Sequence, residues 1–203
     1  MNYLDFRKKL FDLACFSTDQ VFAWQPGFDR TNLGRWLKTG LLIRLRQRWY
    51  CFPEYLEKAD FAYYFANKIY SPSYISLHTA LAFHGMIPES VVQITSVTSL
   101  KTKQFTNSFG EYAYKSIKPQ LMFGYDLKPM SDGRVLKIAS PEKAILDLLY
   151  LYPEYNTVQA LSDLRLDEDF MAESINKEIL REFSAKFNSK VMTERTGQLL
   201  NTF

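Results

Sequence analysis

Cysteine and histidine are scarce in this chain, and that scarcity bears on metal binding. The sequence has two cysteines, Cys15 and Cys51, which lie far apart and form no CxxC pair. Its two histidines, His78 and His84, are six residues apart, which on a helix places them about 240° apart on different faces. Because a metal site needs several ligands in one place, we expect no metal ion and no other cofactor.

Long apolar runs are absent as well. No stretch approaches the roughly 20 apolar residues that a membrane-spanning helix needs. The first residues, MNYLDFRKKLFDL, mix charged with apolar side chains and lack the apolar segment of a secretory signal. We therefore expect no contact with a membrane and a cytoplasmic location, in which the two cysteines stay reduced.

Motifs for nucleotide binding and covalent catalysis are also missing. The chain has no GxSxG, no P-loop and no GxGxxG. Its candidate acids, Asp126, Asp132, Glu142 and Asp147, are scattered, and Glu142 stands next to Lys143 rather than in the acid-x-Lys spacing of metal-dependent nucleases. We expect structural or solvated acids, with Asp147 paired to Lys143 one helical turn away, and no enzymatic activity.

The positive charge of the chain is concentrated in its first quarter. Residues 1–54 hold nine Lys and Arg against five Asp and Glu, a net charge of +4, whereas residues 55–203 hold 16 against 17. An excess of one sign in one segment is typical of a protein that meets a polyanion. The N-terminal segment is therefore the candidate binding region.

The pattern of residues 1–54 predicts three short helices and a β-hairpin. Asp29 is placed to cap the third helix and Gly40 to end it. The predicted elements are helices at Tyr3–Ala14, at Val21–Trp24 after a cap at Ser17 or Thr18, and at Arg30–Thr39, and strands at Leu42–Leu45 and Trp49–Phe52. This order is typical of a winged helix-turn-helix, whose third helix enters the major groove while the hairpin, the wing, follows the backbone or the minor groove.

Cations coincide with the two elements that such a domain inserts into DNA. On the third helix, Leu33 and Trp36 fall on one side and the polar side chains on the other. On the hairpin, arginines occupy every second position, which turns Arg44 away from Ile43 and Leu45. Arginine can pair with guanine, asparagine with adenine, and wing cations with phosphates. The candidate DNA-binding residues are Arg30, Thr31, Asn32, Arg35, Lys38, Arg44, Arg46 and Arg48.

Residues 55–203 predict a second, α+β domain with a helical C-terminal tail. Asp132-Gly133 marks a turn between two strands, and Ser140-Pro141 opens the clearest helix of the chain. The predicted helices are Tyr55–Ile69, a helix that Ser76 caps and Gly85 stops, Ser140–Tyr152, Val158–Leu164, a helical stretch Glu168–Phe187 with possible breaks, and Lys190–Leu200. The predicted strands are Val91–Val97, Tyr112–Ile117, Leu121–Leu127 and Val135–Ile138. We expect a mixed or antiparallel sheet covered by helices.

Five motifs follow one another in a distinctive order: GLLIRLRQRWYCF, SYISLHTALAFHGMIPE, QITSVTS, FGY and SPEKAILDLLYL. Together they resemble the AbiEi-like antitoxins of type IV toxin–antitoxin and abortive-infection systems, over about residues 5 to 165. The resemblance implies a bacterial transcriptional repressor that binds inverted repeats of double-stranded DNA upstream of its own operon. It also implies that the second domain counteracts a nucleotidyltransferase-like toxin without a stable complex.

By position, the resemblance assigns the third helix and the wing to DNA. Wings of this family commonly carry a glycine at the turn, whereas Arg46-Gln47-Arg48 has none. A two-residue turn would force a positive φ on Gln47 or a neighbour, so we expect a looser turn.

Two other functions remain open at this point. In the first, the second domain is a nuclease- or nucleotidyltransferase-like enzyme that a winged helix delivers to nucleic acid, with an activity that depends on Asp126 or Glu142. In the second, the protein is an interaction module and the hairpin is merely solvated. The salt dependence of DNA binding and the identity of the neighbouring gene discriminate these functions from repression.

Overall fold

The computed structural model describes residues 2–58, 60–89 and 91–203. It confirms the predicted α+β class, with a mixed sheet and helices at the C-terminal end. The N-terminal elements are α1 (Tyr3–Leu10), β1 (Cys15–Ser17), α2 (Thr18–Trp24), α3 (Thr31–Lys38), β2 (Ile43–Arg46) and β3 (Trp49–Cys51). Their strands form an antiparallel sheet in the order β1-β3-β2.

Beyond shifts of a residue or so at the ends of helices and strands, the N-terminal elements differ from the prediction mainly at β1 and at the end of α1. The strand β1 was not predicted, because three residues are too few to show an alternating pattern. The first α-helix ends at Leu10 rather than Ala14, since Phe11–Leu13 form a 3-10 turn and Ala14 takes a φ of 65°. The chain then reverses into β1 instead of continuing as a helix.

The second part of the chain builds a six-stranded mixed sheet in the order β6-β7-β5-β4-β9-β8. The pairs β4–β9 and β5–β7 are parallel and the others antiparallel. The elements are α4 (Phe61–Ile69), β4 (Ser73–Ile75), α5 (Leu77–Phe83), β5 (Gln93–Thr98), β6 (Lys103–Asn107), β7 (Gly110–Ser116), β8 (Tyr125–Pro129), β9 (Val135–Ala139), α6 (Pro141–Leu151), α7 (Val158–Ser162), α8 (Glu168–Glu173), α9 (Lys177–Lys186) and α10 (Lys190–Thr202).

Several predicted boundaries in this part were wrong for local reasons. The helix predicted from Tyr55 begins at Phe61, because Pro53–Tyr55 form a 3-10 turn and Asp60 is left-handed; Ala59 lies outside the described residues. The strand predicted from Leu121 begins at Tyr125, after a 3-10 turn and Gly124 with a φ of 71°. The strands β4 and β6 were not predicted at all.

The six-stranded sheet lies between two apolar layers. On one face, α4 and the N-terminal elements share an aromatic cluster that reaches from Phe6 through Phe65 to Tyr112 and Tyr114. On the other face, α5, α6 and the C-terminal helices pack around Leu148. Apolar packing therefore continues across residue 54, the predicted end of the first domain, and that boundary stays a prediction.

The two cysteines lie directly opposite each other in the N-terminal sheet. The register pairs Cys15 of β1 with Cys51 of β3, and both are buried as free thiols. Burial raises the pKa of Cys15 to about 12 and also raises the pKa of Cys51. The distance between them in sequence gave no hint of this pairing.

A buried ion pair ties α6 to β4. Lys143 and Asp147, one helical turn apart as predicted, form a salt bridge with both side chains fully buried. The other carboxylate oxygen of Asp147 accepts hydrogen bonds from Tyr74 Oη and Ser76 Oγ, each at 2.8 Å. Ser76 is the N-cap residue of α5, as predicted, but its hydroxyl donates to Asp147 and not to the backbone of the helix. Burial raises the pKa of Asp147 and lowers that of Lys143, and each charge opposes the shift of the other.

Aromatic rings close the apolar side of this ion pair. The ammonium of Lys143 lies 4.8 Å from the ring centre of Phe123 and 5.0 Å from that of Phe187. Gly124 is required beside it, because a Cβ there would meet the Phe183 ring at 2.8 Å and Lys143 at 3.1 Å. The pair therefore links the sheet, α6 and the C-terminal helices.

Among the described residues, no helix has the length and apolar character to cross a membrane.

We expect Asp147→Ala to lower the free energy of unfolding by about 3–5 kcal/mol, because it strands the Lys143 charge and two hydroxyls in the core. The double variant Lys143→Met/Asp147→Leu should lose less, since it removes both charges. The exposed i,i+4 pair of Glu182 and Lys186 is the control, and Glu182→Ala should cost less than about 1 kcal/mol. Urea denaturation measures all three; equal losses at both pairs would contradict the assigned role.

Candidate nucleic-acid interface

The helices α2 and α3 form one unit whose geometry local contacts fix. A capping box opens α2: Gln20 N–H donates to Ser17 Oγ at 3.2 Å, and Ser17 N–H donates to Gln20 Oε1 at 2.8 Å. The buried Phe28, in the loop between the helices, packs against Phe22 of α2 and Trp36 of α3. Aromatic contacts therefore hold the two helices at a defined angle.

The faces of α3 divide as the spacing predicted. Leu33 and Trp36 are buried, and the centre of the Trp36 ring lies 4.6 Å from that of Phe6. The exposed face carries Thr31, Arg35 and Lys38, with Asn32 half-buried at its border. At Gly34, on the same face, an added Cβ would meet no atom within 4 Å. This face is open and, over its C-terminal half, positively charged.

The polar groups of this face are already oriented. Arg35 donates a hydrogen bond from its guanidinium to Asn32 Oδ1 at 2.7 Å. The Thr31 hydroxyl and N–H both donate to Asp29, and these hydrogen bonds lower the pKa of that carboxyl. The guanidinium of Arg30 lies 5.5 Å from the centre of the Phe22 ring, against α2. Asp29, just before α3, is therefore held by the first residue of the helix, and the cations within the helix, Arg35 and Lys38, lie in its last turn.

The hairpin turn is tighter than predicted. Arg46 pairs with Trp49, so Gln47 and Arg48 form a two-residue turn in which Arg48 takes a φ of 70°. The expectation of a looser turn was wrong. The carbonyl of Arg48 accepts from Thr18 N–H at 2.8 Å, so the start of α2 holds the turn and offsets the strain of the left-handed residue.

The three alternating arginines have three different environments. Arg44 is exposed, on the opposite side of β2 from the buried Leu45. Beyond it a bulge at Leu45 shifts the register, so the period of two ends before the turn. Arg48 forms an exposed salt bridge with Asp19 of α2. The sequence pattern alone could not separate these environments, because they depend on residues far along the chain.

Arg46 is directed into the protein. Its Nη1 donates to the carbonyl of Ile69 at 2.9 Å, and its guanidinium lies 4.9 Å from the Tyr70 ring centre and 5.3 Å from that of Phe105. These partners belong to the end of α4 and to β6. Of the eight predicted contact residues, Arg46 is therefore the one that the structure uses to join the hairpin to the larger sheet.

The sequence interpretation missed a basic segment beside the hairpin. Asn107 of β6 donates from its side chain to the carbonyl of Leu45 at 2.9 Å, which places the edge strand β6 against β2. Lys103 lies on the same face of β6 as Phe105, and the carbonyl of Lys101 accepts from Tyr70 Oη at 2.8 Å. Both lysines are exposed. The alternation in Lys103-Gln-Phe-Thr-Asn107 was the available signal for this strand.

Six exposed cations of this region have no acidic partner within the described part of the chain. Among the described residues, no carboxylate forms a salt bridge with Arg30, Arg35, Lys38, Arg44, Lys101 or Lys103. We call these six residues the basic surface. It combines α3, β2 and the approach to β6, and so spans both predicted domains.

The acids of the enzymatic alternative lie apart. Asp126 is exposed on β8 and pairs with Lys128, whereas Glu142 is buried at the start of α6 and accepts from Asn176 N–H at 3.1 Å. Asp132 pairs with Arg134 in the turn between β8 and β9. Within the described ranges, no three His, Cys, Asp or Glu side chains are grouped to hold a metal ion.

Comparison with known proteins shows a likeness of fold to a solved structure. The crystal structure of the RV2827C protein from Mycobacterium tuberculosis matches with a TM-score of 0.53 at 14% sequence identity, over 96% of this chain and 74% of that one. No protein-family model matches the chain, and no curated protein does. At this identity the likeness concerns the fold alone.

We expect Arg46→Ala to destabilise the protein by about 1–2 kcal/mol, because it removes a part-buried hydrogen bond and two cation–π contacts. Arg44→Ala, the same substitution on the exposed side of the same strand, is the matched control and should change stability by less than about 0.5 kcal/mol. Urea denaturation measures both. A stability loss for Arg44→Ala as large as that for Arg46→Ala would contradict the assignment.

Proposed function

We propose that residues 2–54 form a winged helix that binds double-stranded DNA, and that the protein is a transcriptional repressor. The order α1-β1-α2-α3-β2-β3, with a three-stranded sheet and a tight hairpin, supports this proposal. In a winged helix, α3 is the recognition helix and the β2–β3 hairpin is the wing. The observation that carries the proposal is that four of the six residues of the basic surface, Arg30, Arg35, Lys38 and Arg44, lie on or directly before these two elements.

The dimensions of α3 suit a major groove. An α-helix with its side chains is about 10–12 Å across, and the major groove is about 12 Å wide. Arg35 and Asn32, linked by a hydrogen bond, can present a guanidinium donor pair to guanine or an amide to adenine. Lys38, one turn beyond them, is placed for a phosphate. Sequence discrimination is thus assigned to the centre of α3.

The remaining cations supply affinity that does not depend on sequence. Arg44 on the wing and Lys101 and Lys103 beside β6 can neutralise phosphates along the flanking backbone. Arg48 can join them by exchanging Asp19 for a phosphate, since its salt bridge is exposed and therefore weak. Arg46 is assigned to holding the wing against β6, and not to a DNA contact.

We expect Arg35→Ala to weaken binding to a duplex from the protein's own upstream region more than binding to a scrambled duplex, by about 1–3 kcal/mol in discrimination. Arg44→Ala should weaken binding to both duplexes alike and reduce the slope of log K against log salt by about 1. Fluorescence anisotropy between 50 and 200 mM salt, a range in which phosphate contacts are resolved, measures both effects.

Lys186→Ala is the control for this experiment. Lys186 is an exposed cation on α9, so its substitution removes the same charge far from the basic surface. Binding equal to wild type is expected for it. If Arg44→Ala binds both duplexes as tightly as wild type with an unchanged salt slope, the wing assignment fails. If wild type itself does not bind duplex DNA, the proposed function fails.

We further propose that the repressor is the antitoxin of a type IV toxin–antitoxin module, as the motif resemblance implies. Its partner would be a nucleotidyltransferase-like toxin encoded next to it, counteracted without a stable complex. The support is the order of the five motifs in the sequence, of which SPEKAILDLLYL forms α6 and carries the buried Lys143–Asp147 pair. Residues 55–203 would carry this activity.

We expect Arg35→Ala/Arg44→Ala to lose repression of a promoter reporter while still protecting cells from the adjacent toxin when expressed from an unrelated promoter. The reason is that both residues lie on the exposed N-terminal face, away from α6. Growth after toxin induction measures protection. Loss of protection by a variant that folds and is expressed normally would show that DNA binding and antitoxicity share one surface.

A further inference from the structure

The strand β8 is an edge of the six-stranded sheet with a free row of backbone groups. Two hydrogen bonds show which residues of β8 bond to β9. Ser140 N–H donates to the Gly124 carbonyl at 2.9 Å, and Met130 N–H donates to the Arg134 carbonyl at 2.7 Å. Even-numbered residues therefore bond to β9, and the backbone groups of Tyr125, Leu127 and Pro129 point outward. These groups have no backbone partner within the described part of the chain.

The other edge of the same sheet is differently placed. At β6, Asn107 bonds to the Leu45 carbonyl and Phe105 packs under Arg46, so the N-terminal hairpin lies along that edge. At β8 no element of the described chain plays this part. Leu127, in the middle of the strand, is 63% exposed.

The side chains of β8 are complementary to themselves. Asp126 and Lys128 flank Leu127 and are both about half exposed, with their charged groups 3.6 Å apart along the same face. If the strand meets a second copy in antiparallel register about Leu127, each Asp126 stands directly opposite a Lys128. Such opposed pairs have Cβ atoms about 4.5–5.5 Å apart and stabilise a sheet.

We propose that β8 pairs antiparallel with β8 of a second copy of this chain, around a two-fold axis at Leu127. The outward backbone groups of the odd-numbered residues fit this register, because the N–H and the carbonyl of Leu127 then each bond to Leu127 of the second copy. Each Tyr125 N–H donates to the Pro129 carbonyl opposite it. Because proline has no N–H, the reciprocal hydrogen bond does not form, and the pairing ends at Pro129. The two sheets become continuous.

A second copy fits this edge better than a foreign strand. Lysine and proline on an edge strand oppose pairing with other strands. A lysine that has no acid opposite it loses water contacts on pairing, and no ion pair compensates the loss. The alternation of Asp126 and Lys128 removes that obstacle for this strand itself. Because the contact is short, the dimer should be weak and concentration-dependent rather than permanent.

The pairing goes beyond the proposed function and does not depend on it. A closed two-fold dimer relates two copies of α3 by the same axis, and an inverted repeat in DNA has that symmetry. DNA binding by a strictly monomeric protein would leave the proposed function intact while overturning this inference. The two proposals therefore fail on different measurements.

Charge reversal tests the register directly. By sedimentation equilibrium of the full chain without DNA, wild type should show a reversible monomer–dimer equilibrium. Asp126→Lys places lysine opposite lysine twice, and Lys128→Asp places acid opposite acid twice, so each alone should weaken dimerisation by about tenfold or more. An equimolar mixture of the two variants should restore it as a heterodimer, and Asp126→Lys/Lys128→Asp should restore the homodimer.

Lys186→Asp, on the exposed face of α9, is the control and should leave the equilibrium unchanged. Both β8 side chains are exposed, so the variants should keep the wild-type circular dichroism and thermal unfolding. A wild type that stays monomeric at every concentration overturns the proposal. So does a dimer that is indifferent to the charge reversals, because it would use another surface.

Discussion

The guanidinium of Arg46 joins the two parts of this molecule, and the geometry of the basic surface depends on it. It lies between the rings of Tyr70 and Phe105 and donates to the carbonyl of Ile69, so one side chain from the hairpin contacts both α4 and β6. A cation removed from water needs such partners, and aromatic faces together with a carbonyl supply them. The wing is therefore held at a fixed angle to the six-stranded sheet.

The same physical rule sorts the other cations of the chain. Lys143 is buried because Asp147 and the surrounding rings compensate its charge, and it serves to hold α6. Arg48 is exposed but paired with Asp19. Arg35 and Arg44 remain in water and are available to a polyanion. Desolvation and partner geometry, rather than charge alone, thus divide these residues between stability and binding.

Much of the fold followed from local patterns in the sequence. The capping residues Ser17 and Ser140, the two faces of α3 and the turn at Asp132-Gly133 depend on neighbours a few residues away, and the structure agrees with them. Strands β1 and β4 escaped prediction because each has three residues and is defined by partners distant in sequence. The contacts of Arg46 could not be predicted from the sequence for the same reason. Its partners lie 23 or more residues further along the chain.

The paired thiols of Cys15 and Cys51 allow the local opening of the N-terminal sheet to be measured by chemical labelling. Burial raises the pKa of the Cys15 thiol to about 12, which disfavours the reactive thiolate at neutral pH, and burial also bars access of a reagent. The chain holds no other cysteine. A maleimide therefore labels Cys15 and Cys51 only when β1 separates from β3. The labelling rate then gives the free energy of local opening of this sheet without any engineered probe.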